Sequence, residues 1–263
     1  WSSRSGRSQG FLDCLFTAVS ASCVTGLVVA DTWNNWTLFG QLVILTMIQI
    51  GGLGFVTIGV FISIVLRRKI GLKQRGLMQE SVNTLHLSGV VKLARKIIFG
   101  TVIIEGAGAF LLALRFIPQF GLTQGIYYGV FHSISAFCNA GFDLMGRAAP
   151  YNSLVDYSGD WLVNLVIMSL IIIGGLGFIV WEDISRHKLD FKSYMLHSKI
   201  VLLTTTGLMV AGALLIGISE RNNLMAQMGA GERIWASLFA SVTARTAGFN
   251  TIDIAAMRPA SKL

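Results

Sequence analysis

The chain has 263 residues, 53% of them hydrophobic and only 13% charged, with a formal net charge of +8. A soluble globular domain carries about 25% charged residues, so the composition excludes that class and points to a membrane protein. The basic residues cluster between apolar runs, at Arg67, Arg68, Lys69, Lys73, Arg75, Lys92, Arg95 and Lys96 and again at Arg186, Lys188, Lys192 and Lys199. Cytoplasmic loops have this pattern, and with few aromatic residues interleaved a nucleic-acid face is excluded.

In chain order, the polar stretch Trp1 to Gly10 has no apolar core of a signal peptide. Phe11 to Cys23 suits a helix too short for a ~30 Å hydrocarbon core, which makes it re-entrant or interfacial. Val24-Thr25-Gly26-Leu27 follows, then a turn with Trp33 and Trp36, read as an aromatic belt at one membrane face. Gln41 to Leu66 is apolar and uncharged, a span ending at Arg67. A surface helix is predicted around Lys73 to Leu85. Leu93 to Ile117 is the next span, with Glu105 inside it and Pro118 as its end.

The pattern then recurs. Gly125 to Phe137 is a short half-polar helix with His132, Ser133 and Ser135, leading into Cys138-Asn139-Ala140-Gly141-Phe142. Trp161 to Trp181 is a span ending in the second basic cluster, and Lys199 to Ser219 is another. Arg233 to Ala244 is a third short helix, leading into Thr246-Ala247-Gly248-Phe249. The basic loops place all three glycine loops on the outer side of the membrane.

Ile50-Gly51-Gly52-Leu53-Gly54-Phe55 and Ile173-Gly174-Gly175-Leu176-Gly177-Phe178 are identical, each in a span that follows a glycine loop, so the chain contains an internal repeat. Their glycines are read as close helix packing. The glycine loops need a different reading, because non-helical backbone at membrane depth must be buried in protein or line a water-filled cavity. Several such loops, each behind a short helix, suit a ring of carbonyls that replaces a cation's hydration shell. Cys14, Cys23 and Cys138 are odd in number and lack metal-ligand spacing, so no disulfide framework or zinc site is implied. Glu105 and His132 are read as structural, His86, His187 and His197 as solvated, and Arg245 as holding a neighbouring segment. No acid, base or nucleophile constellation points to an enzyme.

Together the three loops and the two Ile-Gly-Gly-Leu-Gly-Phe spans resemble the Trk/Ktr/HKT superfamily of potassium transporters, most closely its Ktr membrane subunits, over about residues 11 to 258. The resemblance implies an all-α integral membrane fold of potassium-channel-like repeats. Each repeat is a span, a re-entrant pore helix, a filter loop and a span, set with pseudo-fourfold symmetry round one pore. On this sequence that gives a first repeat at 11–66, a cytoplasmic linker at 67–92, a second repeat at 93–184 and a third, truncated one at 185–263, all in a single pore domain. The implied filter comprises Val24, Thr25, Gly26 and Leu27, then Asn139, Ala140, Gly141 and Phe142, then Thr246, Ala247, Gly248 and Phe249, with potassium held by their carbonyls. Further implications are a multi-pass homodimer in the lipid of the inner (plasma) membrane, potassium uptake that is often sodium-dependent, and a KtrA-type cytoplasmic regulator-of-conductance ring docked on the basic loops. Nucleotide would bind that ring and not this chain. Family members also have a span before the first loop and a fourth loop, which this sequence lacks, so it is expected to be a fragment of a conducting protein. The alternative is a non-conducting membrane scaffold or sensor subunit.

Overall fold

The computed structural model describes residues 3–4, 9–54, 90–147, 149–188 and 190–262, without the side chains of residues 90, 92 and 93. The distal half of the first predicted span, the basic residues from Arg67 to Arg75, the helix around Lys73 to Leu85 and His86 lie outside the described residues.

Every regular element described is helical. Helix α1 (Phe11–Ser22) is followed by the four-residue α2 (Thr32–Asn35) and by α3 (Leu38–Leu53). Two antiparallel helices, α4 (Val90–Phe120) and α5 (Leu122–Phe137), then lead to α6 (Trp161–Gly175) and α7 (Phe178–His187). The long α8 (Leu196–Glu220), α9 (Ala230–Thr243) and the short α10 (Pro259–Lys262) complete the order. Within these, Ala94–Phe120 and Leu196–Glu220 are long and apolar enough to cross a membrane, and the bent pair α6 and α7 makes a third if counted as one span.

Small residues let these helices approach. A Cβ on Gly129 would lie 2.7 Å from Ala109 O, and one on Gly125 2.6 Å from Ile117 Cα, so α4 and α5 pack backbone to backbone. The core behind them is aromatic: Phe116, Tyr128, Phe131 and His132 are fully buried, and Phe116 meets Tyr157 edge-on with ring centroids 5.5 Å apart.

Three sequence expectations change here. Helix α4 does not stop at Pro118. A proline two residues from the end gives up only its own N–H bond, and the helix closes at Gly121, whose φ is +82° and whose N–H reaches Ile117 O at 2.9 Å. The predicted span Trp161 to Trp181 is two helices bent by 99° at Leu176 and Gly177. Trp181 folds back across that bend, donating Nε1–H to Ile173 O at 2.9 Å and stacking edge-on against Phe137. The belt role of Trp33 and Trp36 also fails. Trp36 is 5% exposed, and half-buried Trp33 packs edge-on against Tyr128 with the Arg4 guanidinium 4.5 Å over its ring. Trp161, 61% exposed, remains free to sit at an interface.

Candidate functional site

Three of the short helices, α1, α5 and α9, end in the three glycine loops, and the loops are built alike. In each, a left-handed residue precedes a left-handed glycine by two positions: Val24 (φ 56°) and Gly26 (78°), Asn139 (57°) and Gly141 (69°), Thr246 (66°) and Gly248 (79°). Side chains with a Cβ resist this region by about 1–2 kcal/mol each, and for β-branched Val24 and Thr246 it is a true outlier. Strain repeated at three equivalent positions is held in place by its surroundings.

A hydroxyl at the end of each short helix supplies part of that hold. Ser20 Oγ donates to Leu27 O at 2.7 Å, Ser135 Oγ to Phe142 O at 2.7 Å, and Thr243 Oγ1 to Phe249 O at 2.5 Å. Each hydroxyl thus bridges its loop to the carbonyl just beyond the glycine. Sequence reasoning gave none of the three a role and named only Ser135, as part of a half-polar helix, although each stands before an alanine at the mouth of its loop: Ser20-Ala21, Ser135-Ala136 and Thr243-Ala244. The third loop is one residue shorter, and its backbone compensates. Thr25 and Ala140 bond back five residues, to Ser20 O and Ser135 O, whereas Ala247 bonds back four, to Thr243 O.

The glycines meet. A Cβ on Gly26 would lie 2.7 Å from Ala140 O; one on Gly141 would lie 2.6 Å from Ala247 O and 2.7 Å from Gly248 Cα. One on Gly248 would lie 3.0 Å from Gly141 Cα and 3.8 Å from Gly26 Cα. Of the twelve predicted filter residues, Ala140, Gly141, Phe142, Ala247 and Phe249 are buried, whereas Thr25, Leu27, Thr246 and Gly248 are exposed. The second loop is therefore enclosed, and the first and third each keep an open side.

The repeated Gly-Gly-Leu-Gly tracts seat these loops, and their three glycines have three separate tasks. The first touches the end of its own unit's short helix: a Cβ would lie 2.0 Å from Ser22 O on Gly51 and 1.8 Å from Phe137 O on Gly174. The second faces the following unit: a Cβ on Gly52 would lie 2.4 Å from Cys138 Sγ, and one on Gly175 would lie 3.7 Å from Arg245 Nη2, besides 3.4 Å from Asn139 Nδ2 of its own unit's loop. The third, Gly54 or Gly177, is left-handed, would bring a Cβ within 4 Å of nothing among the described residues, and ends the helix. The packing role expected from sequence holds for the first two and not for the third.

The segments that follow the loops lock them laterally. Asp31 caps α2 through the Asn34 N–H at 2.8 Å and also accepts the Tyr151 N–H at 2.9 Å, tying the segment after the first loop to that after the second. Leu154 N–H donates to Asn250 O at 2.8 Å, and Asn250 N–H to Ser153 Oγ at 3.0 Å, tying the second to the third. Fully buried His132 accepts the Leu144 N–H on Nε2 at 3.3 Å while Nδ1 faces Tyr128 O at 2.8 Å, the supporting role expected of it. His187 is not simply solvated, since its Nδ1 lies 2.9 Å from the Asp183 carboxylate. Cys138 is buried behind its loop, whereas Cys23 is exposed. Arg245 is half-buried, and its Nη1 has no protein partner among the described residues. No group of three or more His, Cys, Asp or Glu side chains that could hold a metal ion occurs among them either.

The family model for TrkH, described as a cation transport protein, matches residues 1–263. The potassium/sodium uptake protein NtpJ of Enterococcus hirae is 45% identical over 253 residues, covering 95% of this chain and 54% of that protein. The Ktr system potassium uptake protein B of Bacillus subtilis is 44% identical over 250 residues, 94% of this chain and 55% of that protein. Its namesake in Vibrio alginolyticus is 37% identical over 245 residues, 92% and 53% respectively. The chain spans about half the length of the curated relatives it matches. All three relatives are named as uptake proteins and none as an enzyme.

Proposed function

We propose, from the premise that the chain belongs to the TrkH family of cation transport proteins, that it forms part of a potassium uptake path whose filter is lined by the three glycine loops. The observation that carries this reading is the repeated pair of left-handed residues in each loop, with the glycines in mutual contact. Alternating backbone handedness turns successive carbonyls to one side. The Ala140 and Ala247 oxygens already lie at the junction where the glycines meet. A ring of such dipoles can replace the hydration shell of a monovalent cation. The side chains beside it, Thr25, Asn139 and Thr246, are neutral, so the backbone supplies the selectivity. The short helices end at the loops, and their negative dipole ends favour a cation there.

In this reading the units at 11–66, 93–184 and 185–263 are three quadrants of a pseudo-fourfold pore in the cell membrane. A fourth loop elsewhere in the full-length protein sits between the third and the first. Dimerisation, sodium dependence and docking of a nucleotide-binding ring on the basic tracts belong to the same proposal. Sodium dependence follows the name of one relative, a potassium/sodium uptake protein, and a partner subunit follows the Ktr system names of the other two; the dimer and the nucleotide-binding ring follow the family resemblance.

Gly141→Ser in the full-length protein tests it. The new Cβ meets Ala247 O at 2.6 Å in a left-handed backbone, so restored growth of a potassium-uptake-deficient bacterium should be lost, or become indiscriminate between potassium and sodium. Unchanged discrimination removes the loops from the ion path. No rubidium flux through the unmodified protein at any ionic condition favours a scaffold or sensor.

A further inference from the structure

A polar chain outside the glycine loops connects the first unit to the second. Glu105 on α4 is 7% exposed, and both its carboxylate oxygens accept from Gln49 Nε2 of α3, at 3.1 and 3.2 Å. Gln49 Oε1 in turn faces Cys138 Sγ at 4.0 Å, at the end of α5 where the second loop begins. Through its main chain Glu105 also holds α5, because its carbonyl accepts Ser133 Oγ at 2.7 Å. One residue thus grips the helix that carries the second loop with its backbone. With its side chain it grips the helix that seats the first loop.

The third unit contains only half of this arrangement. Ser241 Oγ of α9 donates to Met209 O of α8 at 2.8 Å. Gly212 lies three residues beyond Met209 and packs on Ser241, just as Gly108 lies three residues beyond Glu105 and packs on Ser133. Glu105 and Met209 are therefore equivalent positions. A methionine suffices for the helix packing the two units share, so packing does not account for the carboxylate. A buried carboxylate is unfavourable unless paired, and here its side-chain donor among the described residues is the Gln49 amide. The carboxylate thus draws Gln49, and with it α3, towards the second loop. Gly51 and Gly52 of α3 contact Ser22 O and Cys138 Sγ, so the position of α3 fixes the spacing of the two loops.

We propose that Glu105 and Gln49 are positioning residues, a clasp that sets the separation of the first and second loops and thereby the discrimination of potassium from sodium. The inference rests on the ion path proposed above. Filter discrimination depends on how closely the carbonyls can approach the ion and on the field they present, and both change if the two loops move apart.

The test uses the full-length protein in liposomes, with rubidium and sodium fluxes measured side by side. Gln49→Met removes both the donor to Glu105 and the acceptor for Cys138, and should lower the rubidium-to-sodium flux ratio about tenfold, the size of a contact coupling. The exchange variant, Gln49→Glu with Glu105→Gln, rebuilds the pair from opposite ends and should restore the ratio. An unchanged ratio in Gln49→Met, whatever its thermal stability, overturns the clasp, as does failure of the exchange to restore it. Should Gln49→Met not reach the membrane, Glu105→Met is read in its place: it copies the residue at the equivalent position of the third unit and removes the acceptor for Gln49, and a ratio equal to wild type overturns the clasp. Selective wild-type flux with unaltered variants refutes the clasp alone, whereas absence of flux in the unmodified protein refutes the ion path beneath it.

Discussion

Ser20, Ser135 and Thr243 each close a glycine loop with one hydroxyl bond to the carbonyl beyond its glycine. The three bonds do not contribute equally. Phe142 is 1% exposed, so Ser135→Ala leaves its carbonyl without water, and such a buried unpaired group costs about 1–3 kcal/mol. Leu27 is 59% exposed, and water can replace Ser20 on its carbonyl. Thermal unfolding of the full-length protein in detergent should show a clear fall for Ser135→Ala and a much smaller one for Ser20→Ala; equal falls would mean the hydroxyls act through something other than the carbonyls. At this scale the glycines were legible, because a left-handed backbone selects glycine and leaves it in the sequence. Val24 and Thr246 were not legible, since β-branched residues in that region are imposed by the surrounding structure and leave no local signal.

At the scale of elements, identical glycines in identical motifs should respond differently to the same change. Gly51→Ala and Gly174→Ala place a Cβ within 2.0 and 1.8 Å of a helix-end carbonyl, where no flexible side chain can yield. Gly54→Ala and Gly177→Ala meet nothing within 4 Å among the described residues and carry the left-handed penalty of about 1–2 kcal/mol. We expect the first pair to abolish folded, membrane-inserted protein and the second pair to retain it with a lowered unfolding midpoint, both read by size-exclusion profile and thermal melt. The repeat itself was legible because six identical residues recur. The division of labour among its glycines was not, since packing against a neighbouring carbonyl and ending a helix both favour the same residue. The 99° bend after α6 was likewise hidden: by hydropathy Trp161 to Trp181 reads as one span.

For the molecule as a whole, the closure of the three loops on one another is what a fourth loop would alter. Gly26 faces the second loop at Ala140 O, Gly141 faces the third at Ala247 O, and Gly248 turns back to Gly141 and Gly26. In a ring of four, the first and third loops stand on opposite sides of the axis. A structure of the full-length protein should therefore show a Gly26 to Gly248 Cα distance clearly longer than Gly26 to Gly141. Equal distances would rule out a four-loop ring.

By itself the sequence determined the membrane class, the helical content, the repeat and the position of every loop glycine, because hydropathy and left-handed backbone act locally and select residue types directly. Only the tertiary structure decided that the loops meet, that hydroxyls brace them, that α4 runs through Pro118 to Gly121, and that Trp36 is core. It also decided that Glu105 reaches Gln49, a residue 56 positions away. These are contacts between segments distant in the chain, and their geometry follows from how closely small residues let whole helices approach.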